Sequence, residues 1–172
     1  FYDAYVKNPS QQTNYTVPYV LSRSPLKNSA YDAFVHETYT QVPDETRQAL
    51  SDILSELVGE EDADPYQYIP RVLEYVSTSA RYDLNTPAVP DGEDFVSWFL
   101  HDSETGYCVH YATAATILLR CLGVPARYVT GYYTNVYENE WTTVTSDDAH
   151  AWVEIYLNGI GWLRDDPTPA AD

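Results

Sequence analysis

Cys108, His150 and Asp166 are residues whose types and order could supply a nucleophile, a base and an orienting acid. A thiol reacts as its thiolate, and the positive end of a helix dipole or a neighbouring imidazole stabilises that form. Cys108 follows Thr105-Gly106-Tyr107 and precedes Ala112, Ala115, Thr116, Leu118, Leu119 and Leu122, which read as a mostly buried helix ended by Gly123 and Pro125. The thiol is therefore expected at a helix N-terminus. His150 falls at the start of a strand-like stretch, Ala149 to Leu157, and offers a base that titrates near neutral pH. Asp166 ends the return strand, Gly161 to Asp165, where a carboxylate could reach the far ring nitrogen and fix its tautomer.

The hairpin register bears on which carboxylate this is. Asn158-Gly159 is a strong signal for a two-residue turn, which would pair Leu157 with Ile160 and Ala151 with Asp166. Strict alternation would then put Asp165, held as the reserve orienting carboxylate, on the histidine's face. A three-residue loop or a single bulge returns Asp166 to that face.

The elements that must position these groups are helices first and an antiparallel sheet afterwards, an α+β domain. Residues 1–30, with Pro9, Pro18 and Pro25, read as an extended N-terminal arm or linker, and residues 31–172 as the catalytic domain. Helical patterning begins at Tyr31. Pro43-Asp44-Glu45 marks a helix start, followed by Ala49, Leu50, Ile53, Leu54, Leu57 and Val58 at helical spacing and by Gly59 as a stop. The acidic stretch from Glu60 to Asp64 reads as a solvated turn before a helix over Pro65 to Ala80. Asn85 to Gly92 form a loop, Phe95 to Leu100 an apolar segment, and Ala126 to Tyr133 a strand.

Composition excludes several functions. With 26 acidic and 9 basic residues the formal charge is −17, which repels a nucleic-acid backbone and disfavours anionic lipid. There is no apolar run of the length that spans a bilayer, and the first residues lack the basic and apolar regions of a signal peptide. The chain starts at Phe1 and has no Met, so it reads as a piece of something longer. If Cys108 and Cys121 share one helix, thirteen residues at about 1.5 Å each put them roughly 20 Å apart, so both thiols are expected free.

Cys121 then reads as an inert buried thiol, and His36, His101 and His110 as structural residues without partners at metal-ligand spacing. Trp152, Tyr156 and Trp162 read as packing aromatics, and Glu154 as a partner for Arg127 or Arg120. Asp147-Asp148 and Glu138 to Glu140 read as solvated loop residues, because the regular spacing of a calcium loop is missing. No glycine-rich phosphate loop is present, and no cofactor is expected.

The segments GYCVHYATAATILLRCLGVPARYVTGYY and HAWVEIYLNGIGWLRDDPTP resemble the core of the transglutaminase-like superfamily, in which Cys, His and Asp occur in this order. The resemblance implies a papain-like α+β core with Cys108, His150 and Asp166 as the triad, the Asp standing just before Pro-Thr. It further implies acyl transfer on a protein or peptide carboxamide through a thioester, ending in crosslinking to an amine or in deamidation. Cysteine peptidase activity is the nearest alternative, and a non-catalytic binding or scaffold module the more distant one. Members often add an upstream side chain to the oxyanion site, for which Tyr82 and Trp98 are the candidates beside the backbone N–H of Cys108. YDAFVHETYTQVPDETRQAL is similar to the extracytoplasmic domain of bacterial membrane-bound transglutaminase-like proteins, which implies a cell-membrane, extracytoplasmic origin.

Overall fold

The structure is a computed structural model that describes residues 4–7, 29–59 and 63–169. In chain order the elements are β1 (Ala4–Lys7), α1 (Ser29–Tyr39), α2 (Asp44–Ala49), α3 (Ser51–Val58), α4 (Ile69–Thr78), β2 (Arg81–Tyr82), α5 (Phe95–His101), β3 (Thr105–Gly106), α6 (Cys108–Cys121), β4 (Ala126–Tyr132), β5 (Trp141–Val144), β6 (Ala149–Leu157) and β7 (Gly161–Asp165). Single helical turns at Pro65–Tyr68 and Ser146–Asp148 lead into α4 and β6.

The arm expected over residues 1–30 lies mostly outside the described residues; within it, Ala4–Lys7 pair antiparallel with Trp141–Val144. Most of the expected acidic turn, Glu60 to Glu61 and Asp62, also lies outside them. The helix expected from Pro43 to Val58 is two helices, because the chain turns at Leu50 (φ −101°, ψ 9°) and buries that side chain completely. The helix expected over Pro65 to Ala80 starts with a tight turn, since Pro70 supplies no N–H and is tolerated only in the first turn of α4.

The core forms between α6 and the sheet β4–β6–β7. Ala126, Val153 and Ile155 face Ala114, Ala115, Leu118 and Leu119 of α6, while Leu57, Val72 and Val76 close the far side. Period-two alternation on β6 explains why Ala151, Val153 and Ile155 are buried while His150, Trp152 and Glu154 occupy the other face. A fully buried Leu contributes about 2 kcal/mol of transfer free energy, so Leu118 and Leu119 fix α6 in depth as well as in direction. Tyr111 adds a polar tie: its ring meets Phe99 edge-on at 5.2 Å, and its hydroxyl donates to the Ala80 carbonyl at 2.8 Å.

Candidate active site

Cys108 is the first residue of α6 and Cys121 the last, and both thiols are free. The preceding Tyr107 is extended (φ −130°, ψ 177°), so the helix starts abruptly at the cysteine; the His110 N–H donates to the Tyr107 carbonyl at 2.8 Å, while the N–H groups of Cys108 and Val109 have no intrahelical acceptor. The start is held by a short parallel pairing, Arg81 with Thr105 and Tyr82 with Gly106, extended by the Asp83 N–H donating to the Gly106 carbonyl at 2.8 Å. Gly106 is required for this approach: a Cβ there would lie 2.5 Å from Phe99 Cε2. One turn into the helix, His110 Nδ1 accepts from the Tyr107 N–H at 3.4 Å. Burial among Phe95, Trp98, Phe99 and Tyr107 lowers the His110 pKa, so this histidine is a neutral part of the helix cap.

Cys108 is 8% exposed and packs with Ala112 and with Ala151 of β6. The neighbour of Ala151 is His150. Its Nε2 meets Asp166 Oδ2 at 2.6 Å, which leaves Nδ1 as the nitrogen that does not meet the carboxylate. Register explains why Asp166 takes this position. The turn contains three residues, Asn158 to Ile160, and pairs Leu157 with Gly161 and Val153 with Asp165. Asp166 thus follows Arg164 onto the face of His150 and Trp152, while Asp165 turns outward, is exposed, and accepts the N–H of Asp166 at 2.8 Å. The two-residue turn that would have favoured Asp165 does not form; Gly161, at φ +107°, starts the return strand in a conformation that glycine adopts without strain.

Burial works to raise the Asp166 pKa, but hydrogen bonds from His150 and Thr168 outweigh it and leave the carboxyl below its ordinary value. The Thr168 N–H donates to Oδ1 at 3.2 Å, so the two oxygens are held from opposite sides. Two aromatic rings also flank the imidazole: Trp152 stacks at 6.4 Å and 24°, and Tyr133 lies at 6.2 Å. Gly131, paired with His150 on β4, leaves room for the Trp152 ring, since a Cβ would come within 2.6 Å of it.

Cys108 and His150 line the same open cleft of about 570 Å³, together with Tyr82, Leu84, Tyr107, Thr130, Tyr132, Ser146 and Asp147. Of the two oxyanion candidates, Tyr82 faces this cleft and is held two residues from the helix start by the β2–β3 pairing. Burial and the nearby Cys108 sulfur raise its pKa, so the phenol keeps its proton. Trp98 does not line the cleft; it is 7% exposed within the core and tilts against His110, which makes it a packing residue. Burial pushes the Cys121 thiol up, in keeping with an inert cysteine.

The other sequence expectations resolve by contact. Glu154 takes Arg127 as its partner at 2.7 Å, His101 meets Asp52 at 3.0 Å and His36 meets Asn158 at 3.1 Å. Asp147, expected as a solvated loop residue, lies on the cleft, and Trp152, expected as simple packing, lies against His150. Period two does place Trp152 on the histidine's face, but no sequence signal brings Asp147 to the cleft. Among the described residues no group of three His, Cys, Asp or Glu side chains could hold a metal ion, and no helix is long and apolar enough to cross a membrane.

Residues 52–167 match the family described as the transglutaminase-like superfamily. YebA, an uncharacterized protein of Bacillus subtilis strain 168, is 29% identical over 171 residues, covering 90% of this chain and 23% of its own length. A protein-glutamine gamma-glutamyltransferase of Pseudomonas aeruginosa is 44% identical over 89 residues, covering 51% of this chain and 13% of its own. The crystal structure of the periplasmic domain of TgpA from Pseudomonas aeruginosa, bound to ethylmercury, has the same fold, with a TM-score of 0.68 and 33% identity across 81% of this chain and 50% of that one. The chain therefore spans less than a quarter of these curated relatives and half of the solved domain.

Proposed function

The chain belongs to the transglutaminase-like superfamily, and on that premise we propose that it performs cysteine-dependent acyl transfer on protein or peptide carboxamides. His150 Nδ1 takes the Cys108 proton, and the thiolate adds to the carboxamide carbon. The oxyanion so formed accepts hydrogen bonds from the Cys108 N–H and from the Tyr82 hydroxyl. The imidazolium, its other nitrogen held by Asp166, returns the proton to the departing ammonia, and a thioester remains on Cys108. An amine then attacks the thioester, His150 accepts its proton, and collapse gives an amide crosslink and the free thiol. With water in that position the product is the carboxylic acid of deamidation.

The observation that carries this reading is the 2.6 Å contact between His150 and Asp166 beside a cleft that also receives Cys108 from the first turn of a 14-residue helix. The cleft lining favours an amine as the second substrate: it includes the Asp147 carboxylate and the rings of Tyr82, Tyr107 and Tyr132, and no Lys or Arg among the described residues. Such a surface attracts an ammonium group by charge and by ring quadrupole. By likeness to a periplasmic domain, the chain is proposed to act outside the cytoplasm as part of a membrane-bound bacterial protein.

The test is to incubate the protein, with a Cys108→Ala control, with glutamine-bearing peptides and a primary amine and to read product masses. Amine adducts that need Cys108 are the expected result. Peptides gaining about one mass unit or cleaved at internal bonds would replace crosslinking by deamidation or proteolysis. Identical spectra with and without Cys108 would overturn catalysis and favour a binding module.

A further inference from the structure

Arg164 stands two residues before Asp166 on β7, opposite Glu154, and its side chain runs along the face that carries His150. Its guanidinium lies 5.1 Å from the centre of the Trp152 ring and 5.0 Å from that of Tyr133. These are the same two rings that lie 6.4 Å and 6.2 Å from the imidazole. Its Nη2 is also 3.7 Å from Asp166 Oδ2, the oxygen that holds His150 Nε2. One planar cation thus touches the carboxylate and both aromatic neighbours of the histidine, coming from β7 to join groups supplied by β6 and by the exit of β4.

We propose that Arg164 is a positioning residue for the His150–Asp166 pair, a planar cation that clips the Asp166 carboxylate and the two rings beside the imidazole into one arrangement. The inference rests on the reading of His150 as the proton-transfer group. The titratable groups around His150 come from several elements: Tyr107 and Cys108 at the start of α6, Tyr82 on β2, Tyr132 and Tyr133 at the end of β4, Asp147 before β6, and Arg164 and Asp166 from β7 and its exit. Of these, Arg164 is the cation.

Substitution tests the clip, because lysine keeps the charge but cannot stack as a planar fork, and methionine keeps the stem without charge. The experiment compares, at one fixed pH, the NMR signals of the His150 and Trp152 rings in the wild type, Arg164→Met and Arg164→Lys, with thermal melts to establish that both variants fold. The expected result is that both sets of ring signals shift and broaden in Arg164→Met and in Arg164→Lys, since neither variant carries the planar fork. Ring signals unchanged from wild type in either folded variant overturn the proposal. A protein that never forms Cys108-dependent products would instead overturn the proposed function, and the ring spectra would still report on Arg164.

Discussion

Replacing Asp166 by asparagine should lower kcat/KM by a definite amount, because the contact that orients His150 is short and partly shielded. Asparagine retains an oxygen that can accept from Nε2, so the ring stays tethered, while the charge that stabilises an imidazolium is removed. At an effective dielectric of about 20 to 40, a carboxylate roughly 4 Å from the imidazolium centre contributes about 2–4 kcal/mol. The two side chains are 21% and 28% exposed, so solvent screening places the expectation near the lower end. A loss of about 2 kcal/mol is roughly a 30-fold fall in kcat/KM. The assay is the initial rate of amine incorporation into a glutamine peptide, run in parallel on Asp165→Asn. Asp165 is exposed and bonds to a backbone N–H instead of the ring, so its variant should stay within about twofold of wild type. Equal losses in both variants, or full activity in Asp166→Asn, would refute the assignment of the orienting carboxylate.

Tyr82→Phe should cost about 100-fold in kcat if its hydroxyl faces the oxyanion, while the rate of Cys108 alkylation by iodoacetamide stays near wild type. Gly106→Ala forces a methyl to within 2.5 Å of Phe99 and should destabilise the fold by about 1–3 kcal/mol, read as a lowered midpoint in urea. Asp147→Asn should reduce the use of cationic amines relative to neutral nucleophiles several-fold, measured as the ratio of crosslinked to deamidated peptide. The Asp166 carboxyl has a lower pKa folded than unfolded, so it stabilises the fold above the unfolded value of about 3.9 and loses that contribution as pH falls through the lower folded value. The stability gap between wild type and Asp166→Asn should therefore shrink over that acidic range in pH-dependent melts.

Local signals made much of the site legible. The apolar run after Gly106 located the helix that Cys108 opens, and alternation located β6 and β7 with the bounds they have, Ala149–Leu157 and Gly161–Asp165. The choice between Asp165 and Asp166 was not local. It turned on one extra residue in the hairpin loop, where Asn158-Gly159 signals a two-residue turn but Gly161 supports a three-residue one. Tyr82 and Trp98 looked alike as upstream aromatics. A two-residue parallel pairing, too short to give a pattern, brings Tyr82 to the cleft, whereas the packing of α5 buries Trp98. The cluster of Arg164, Trp152 and Tyr133 around His150 joins three segments, so only the folded sheet brings it together.

The most direct test of the central claim is an intact-mass measurement on acid-quenched protein incubated with a glutamine-bearing peptide and no added amine. The account predicts a covalent adduct equal to the peptide mass less ammonia, carried on Cys108, absent in Cys108→Ala and discharged when an amine is added. Protein that keeps its original mass throughout, with peptide consumption unaffected by Cys108→Ala, would contradict it.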